Sequence, residues 1–259
     1  MEFGICNISV IPVRSQPSDT SEMTTQILFG ELFKKIDTYK NWYKVQLDFD
    51  NYIGWIDSKQ CILLNEAECE LIYKSPLEIT QELVQLVIIN GNYLLPLLIG
   101  SNLYGLKKNI FKIKDTTYEF DGASREFSQA TSKNEVIENA YLYINAPYLW
   151  GGRSPFGIDC SGFTQMVYKL CGVPLSRDAH QQAEQGETIN LISEALPGDL
   201  LFFENADKKI IHTGILLDQN RIIHASGKVR IDKIDHEGIF NSEINSYTHK
   251  LRLIKRILN

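Results

Sequence analysis

Short apolar–polar alternations fill the first half of the chain, and helical spacing takes over only past residue 130. Residues 1 to about 65 alternate over Ile8–Val13, Gln26–Lys35, Trp42–Asp48 and Tyr52–Asp57, with polar turns between. Strands this short, this close and this aromatic predict a small all-β barrel or sandwich. Residues 66 to 125 repeat the theme more weakly. Asn90-Gly91 between apolar runs predicts a tight hairpin turn, and residues 111–122 (FKIKDTTYEFDG) offer another strand pair. A segment of about 60 residues buries little core by itself, so both are expected to lean on the remainder of the chain. After a polar stretch, Ser124–Asn134, the positions Val136, Ala140, Tyr143 and Ile144 share a helical face that Pro147 ends.

A second helical run comes at Phe163, Met166, Val167 and Leu170, and it ends near Cys171-Gly172 before Pro174. Arg177–Gln185 reads as one or two exposed polar helical turns. From Leu196 onward the pattern returns to strands: 196–204, a hairpin over 210–227 whose turn is Asp218-Gln219-Asn220, then 228–235 and 250–259. Helices first and an antiparallel sheet after them give an α+β arrangement, in the order of a papain-like half in which a helix carries Cys and a sheet carries His. The expected domains are 1–65, 66–125 and 126–259.

Composition narrows the function. The 259 residues carry 26 Lys+Arg against 32 Asp+Glu, a net charge of −6. No basic face is suggested, which argues against nucleic acid as a partner. The longest apolar run, Tyr93–Ile99, is broken by Pro96 and is too short to span a bilayer. Five cysteines at 6, 61, 69, 160 and 171 lack CxxC or Cys/His metal spacing, so neither a disulfide framework nor a metal site is expected. The amino terminus lacks the pattern of a signal peptide, and a cytoplasmic location with reduced thiols is the expectation.

The candidate chemistry centres on residues 148–162, YLWGGRSPFGIDCSG. Asp159 is a good helix N-cap, which puts Cys160 on the first turn, where the positive end of the helix dipole favours thiolate. Taken alone, such a Cys is more often a small buried apolar residue. His212 opens one strand of the hairpin and His224 ends the next. A helix-borne Cys with a strand-borne His is a recurrent nucleophile–base pair, and a third polar group must hold the imidazole in one tautomer. His224 is placed to be that group. Taken alone, His212 reads equally as a core histidine and His224 as a strand-end surface residue. Metal binding by the pair lacks a third or fourth ligand.

Five blocks carry a resemblance: Tyr148-Leu149-Trp150-Gly151-Gly152, Asp159-Cys160-Ser161-Gly162-Phe163, Leu196-Pro197-Gly198-Asp199-Leu200, His212-Thr213-Gly214-Ile215 and Ile223-His224-Ala225-Ser226. Over about residues 130 to 259 the chain resembles the NlpC-type cysteine peptidases, which cut peptidoglycan peptides. The resemblance implies Cys160 as nucleophile, His212 as general base and His224 as the orienting third member. Thr213 departs from the commoner aliphatic residue and removes no catalytic group. The hairpin over 42–57 resembles that of bacterial SH3-like domains.

Two SH3-like segments ahead of such a peptidase resemble the layout of γ-D-glutamyl-L-diamino acid endopeptidases of bacterial cell-wall peptide recycling. That implies cleavage of small murein peptides with a free amino-terminal L-Ala, releasing L-Ala-γ-D-Glu, by a monomer with no cofactor, no metal and no membrane partner. It also implies that the first SH3-like domain closes the groove and that acidic residues hold the substrate's ammonium. Asp159, Asp178, Tyr148 and Ser161 match substrate positions, with Tyr52 and Glu22 as groove candidates in the first SH3-like segment. An exported hydrolase of intact wall and an inactive SH3-like binding module are the competing readings. The diamino acid, diaminopimelate or lysine, stays open.

Overall fold

The computed structural model describes residues 2–128 and 132–258. It divides into two compact units, Met1–Gln129 and Ala130–Asn259. Part of the polar stretch expected over 124–134 lies outside the described residues.

The amino-terminal unit begins with β1 (Glu2–Cys6), β2 (Val10–Arg14), β3 (Met23–Leu28), β4 (Leu32–Tyr39), β5 (Trp42–Leu47), β6 (Ile53–Asp57) and β7 (Cys61–Leu64). These make one antiparallel sheet in the order β3-β2-β6-β5-β4-β1-β7. Its interior is aliphatic and aromatic: Ile11, Val13, Ile27, Phe33, Val45 and Ile56 are fully buried. The single strand expected over Gln26–Lys35 is two strands. Gly30 sits between them at φ +77°, the left-handed region that glycine enters freely, and the Leu28 N–H donates to Glu31 Oε2 at 2.8 Å to close the turn.

Residues 66–74 lie in a segment expected to be all-β and form helix α1 (Glu66–Lys74). Asn65 caps it: the side chain accepts from the Glu68 N–H at 2.9 Å while Glu68 Oε2 accepts from the Asn65 N–H at 2.8 Å. This Asn-x-x-Glu capping box is a helix start legible in the sequence.

Beyond α1 lie β8 (Leu77–Thr80), β9 (Val84–Ile89), β10 (Tyr93–Leu98), β11 (Asn102–Tyr104), β12 (Ile110–Ile113), β13 (Thr116–Glu119) and β14 (Ser124–Glu126). They form two small sheets, β10-β9-β13-β12 and β11-β8-β14. The turn at Asn90-Gly91 joins β9 to β10 with Tyr93 opposite Ile89, and Pro96 lies on the edge strand, where its missing N–H costs least. One core cluster runs through both segments of this unit. Ile5, Phe29 and Leu64 pack with Val87, Leu103, Phe111 and Tyr118, and Phe111 stacks on Tyr118 at 4.9 Å.

The carboxy-terminal unit opens with α2 (Lys133–Leu142), the short pair β15 (Arg153–Ser154) and β16 (Gly157–Ile158), then α3 (Cys160–Leu170) and α4 (Ala179–Gln182). Val136, Ala140 and Tyr143 are buried as the spacing predicts, whereas Ile144, past the helix end, is exposed. Every residue of α3 is buried, not only the apolar face. The strands are β17 (Glu187–Ile189), β18 (Leu200–Glu204), β19 (Ile210–Asp218), β20 (Arg221–Ser226), β21 (Lys228–Ile234), β22 (Gly238–Asn241) and β23 (Ser246–Arg256).

This antiparallel sheet closes on itself. The long β23 pairs through its first half with β22 and through its second with β18, so β18-β19-β20-β21-β22-β23 form a ring with β17 alongside β23. Alternate side chains point inward. At one end they are apolar: Leu201, Leu216, Ile222, Ile234, Ile239 and Ile254. The same alternation carried to the other end brings in His212, His224, Asp232 and His249 beside Phe203. Helices α2, α3 and α4 pack on β19.

Candidate active site

Asp159 makes the start of α3 a rigid junction. Its Oδ1 accepts from the Gly162 N–H at 2.7 Å, as the N-cap expectation requires. The same oxygen accepts from Arg177 Nη1 at 3.0 Å and the Ser161 hydroxyl at 3.4 Å, while Oδ2 accepts from the Gly151 N–H at 2.8 Å and Arg177 Nη2 at 2.6 Å. The ion pair is buried, with side-chain exposures of 1% for Arg177 and 7% for Asp159. Five donors fill the lone-pair sites of one carboxylate. Asp159 is therefore cap, loop anchor and guanidinium partner.

Arg177 was expected on an exposed turn and is instead the residue that neutralises this carboxylate and donates to Ser161 Oγ at 3.0 Å. Gln182, from the same segment, is buried because its amide donates to the Ser161 and Ser176 carbonyls and accepts from Thr164 Oγ1 at 2.7 Å. Buried polar groups survive only when paired. Asp178 is half-buried at the N-cap of α4, where its N–H donates to Gln181 Oε1 at 3.1 Å.

Cys160 is buried at the first position of α3, and the backbone N–H groups of Thr213 and Ser161 donate to its sulfur. Burial pushes the thiol up to about 12, the Asp159 carboxylate adds to the rise, and the two amides and Arg177 oppose it. Burial thus opposes the thiolate that the helix start favours. A helix terminus is worth about 0.3–1 kcal/mol, and full burial shifts a group by up to about 3–5 pKa units. The resting group is the thiol, and it needs a base.

The base candidate, His212, is adjacent in sequence to Thr213, whose amide lies on the sulfur. His212 Nε2 and His224 Nδ1 are 2.8 Å apart. His212 is held well below the usual imidazole range by burial, then by His224 and His249, so it is neutral at neutral pH and free to accept a proton. His249, half-buried, stacks on the His212 ring at 4.1 Å. Burial lowers His249 to about 4, with His224 lowering it further and Asp232 opposing.

The two histidines are diagonal rather than opposite: His224 faces Gly214 across the ladder, and His212 faces Phe203. Gly214 is what lets them meet, since a Cβ there would lie 2.8 Å from the Cβ of His224. Tyr148 is half-buried, and burial, followed by Cys160 and Asp159, raises its phenol to about 12 against the pull of Arg177. It stays a protonated donor.

Cys160, Ser161, Asp159, Tyr148, His212 and His224 are thus gathered within the carboxy-terminal unit, with Asp178 next to Arg177 in sequence. Tyr52 and Glu22 lie in the amino-terminal unit, half-buried before β6 and exposed before β3. Sequence reasoning missed Arg177, Gly214, Asp232 and His249 as functional residues. Gly214 stands inside the His212-Thr213-Gly214 block, and Arg177 opens the segment read as exposed. Asp232 comes eight residues after the second His, on the inward alternation of β21.

Comparison with known proteins agrees with this geometry. The NlpC/P60 family model matches residues 145–247, and the bacterial dipeptidyl-peptidase Sh3 domain model matches residues 13–60. The chain carries an NlpC/P60 domain. The chain also matches curated relatives over most of its length. It is 28% identical to the gamma-D-glutamyl-L-lysine dipeptidyl-peptidase of Bacillus subtilis (strain 168), over 86% of this chain and 75% of that protein. It is 27% identical to dipeptidyl-peptidase 6 of Lysinibacillus sphaericus, over 86% of this chain and 88% of that protein. The fold matches that of an NlpC/P60 family protein from Bacillus cereus at a TM-score of 0.85 and 19% identity, over 99% and 100% of the two chains.

Proposed function

We propose that this NlpC/P60 protein is a cysteine peptidase that hydrolyses the γ-D-glutamyl–diamino acid bond of murein stem peptides with a free amino-terminal L-Ala. The observation that carries the reading is a buried thiol at the start of α3 with amides on its sulfur, one of them from Thr213, beside which in sequence a neutral His212 is hydrogen-bonded to His224. The curated names of its relatives support the substrate class.

In this reaction His212 takes the Cys160 proton as the sulfur attacks the γ-carbonyl carbon of D-Glu. The carbonyl oxygen becomes an oxyanion, met by the Tyr148 hydroxyl and backbone N–H at the start of α3. His212 then passes its proton to the leaving amine of the diamino acid, and the C–N bond breaks to leave a thioester. Water attacks the thioester, His212 takes the water's proton and returns it to sulfur, and L-Ala-γ-D-Glu is released. A neutral thiol and neutral imidazole are the correct starting protonation states for this sequence.

Specificity for a free amino terminus falls to Asp178, with Glu22 and Tyr52 of the SH3-like segment as further candidates. A carboxylate that pairs with an ammonium is left desolvated and unpaired by a blocked terminus, which rejects it. The role is cytoplasmic recycling of small murein peptides by a monomer. Incubation with L-Ala-γ-D-Glu-diaminopimelate, its L-Lys analogue and the N-acetylated forms tests this. Cleavage of the free peptides alone is expected. Equal cleavage of the acetylated forms, or of intact sacculi, would instead favour an exported wall hydrolase, and no cleavage under reducing conditions a binding module.

A further inference from the structure

The hydrogen-bond line from the base does not stop at His224. His224 Nε2 lies 3.0 Å from Asp232 Oδ2, with side-chain exposures of 1% and 6%. Asp232 is in turn gripped by Arg230, whose Nε donates to Oδ2 at 2.7 Å and whose Nη2 donates to Oδ1 at 2.9 Å. Arg230 also reaches Glu243 Oε2 at 3.1 Å. A bidentate guanidinium keeps the carboxylate ionised, and an ionised carboxylate only accepts.

The protons along the line are set by that one fact. His224 Nε2 must carry the hydrogen it gives to Asp232. With a single proton on its ring, His224 then has a bare Nδ1, which accepts. His212 Nε2 must therefore carry the hydrogen of the 2.8 Å bond, and a neutral His212 is left with a bare Nδ1. That lone pair is the only site on the ring able to take the thiol proton. Two imidazoles in series would otherwise be ambiguous: with the hydrogen on His224 Nδ1 the same bond forms in the opposite direction, and a neutral His212 carries its hydrogen on Nδ1 and cannot take a proton there.

We propose that Asp232, held by Arg230, is a positioning residue that fixes the tautomers of both histidines and so leaves His212 Nδ1 as the base. The proposal rests on the peptidase reading above for its kinetic consequence, but not for its structural one. The groups that face this line from every packed element are His212 on β19, His224 on β20, Arg230 on β21, His249 on β23 and Glu243 after β22. Burial works to raise Asp232, and the bonds from His224 and Arg230 overcome it and hold the carboxyl below its usual value.

Two measurements test it. Nitrogen-15 NMR of histidine-labelled wild type at neutral pH should show His212 and His224 both protonated at Nε2 and bare at Nδ1. A protonated Nδ1 on either ring overturns the proposal, whatever substrate the protein cleaves. In steady-state kinetics Asp232→Asn should lower kcat by about a hundredfold or more, with KM within threefold, because an amide can donate and so permits the wrong tautomer. Asp232→Glu should recover most of that loss, and the pH at half-maximal kcat should shift in Asp232→Asn but not in Asp232→Glu. If Asp232→Asn folds and keeps kcat within threefold, or if Asp232→Glu is as poor as Asp232→Asn, the role assigned to Asp232 fails. Wild type that cleaves no γ-glutamyl peptide, yet shows the stated nitrogen pattern, would sink the substrate reading and leave the tautomer line standing.

Discussion

The two units solve the same packing problem with different interiors. The first sheet of the amino-terminal unit is filled by Ile11, Val13, Ile27, Phe33, Val45 and Ile56, and its buried Glu31 closes a turn. The carboxy-terminal ring is filled the same way at one end and gives the other to three imidazoles and a carboxylate. Burying titratable groups costs stability unless each finds a partner. Here the partners form a line, Arg230 to Asp232 to His224 to His212, and the same burial that costs stability keeps His212 neutral. An interior that holds such groups where apolar side chains would fit is organised around a reaction.

The contrast can be broken most sharply at the sulfur. Cys160→Ala should cut turnover by about 10⁴-fold or more while the melting curve stays near wild type. Next in size is Gly214→Val, whose side chain has no room beside the His224 Cβ; overpacking of ~1–3 kcal/mol is expected in a denaturant titration, together with a fall in kcat well beyond what the stability loss explains. Arg177→Met leaves the Asp159 charge buried and unpaired, and should cost about 3–5 kcal/mol in a urea titration. In the other unit Phe111→Ala should cost a similar ~3–5 kcal/mol by cavity formation alone.

The smallest effects are those of pH. His212 and His249 both have lowered values when folded, so the folded protein binds fewer protons than the unfolded chain below the ordinary imidazole value near 6.5. Their contribution to stability is present above that value and is lost as pH falls through the folded values, about 4 for His249. The melting temperature should therefore fall between pH 6.5 and 4, and His249→Phe should flatten part of that slope. With the Cys160 thiol raised, alkylation by iodoacetamide should climb with pH across about 6 to 9. A flat rate over that range would mean a preformed thiolate.

The features legible in the sequence are those that local chemistry dictates. Asp159 as cap, the buried face of α3, the turn at Asn90-Gly91 and the hairpin of His212 and His224 come from short-range rules, and the structure has each of them. The opposition of burial to a Cys160 thiolate was not legible, because burial is a long-range property that a helix-start argument omits. Arg177 looked exposed since its partner lies eighteen residues away, and Asp232 looked like one polar strand residue among several. Closure of the sheet by β23 decides which residues of β21 point inward, and pairing of strands distant in sequence leaves little local mark. The capping box at Asn65 and Glu68 is a local helix signal that the all-β reading of 66–125 did not use.

One measurement bears on the central claim most directly: the time course of L-Ala-γ-D-Glu release from L-Ala-γ-D-Glu-diaminopimelate by wild type and by Cys160→Ala, each under reducing conditions. The account predicts steady release by wild type and none above background from the variant. Equal release by both, or none by wild type from either this peptide or its L-Lys analogue, would contradict it.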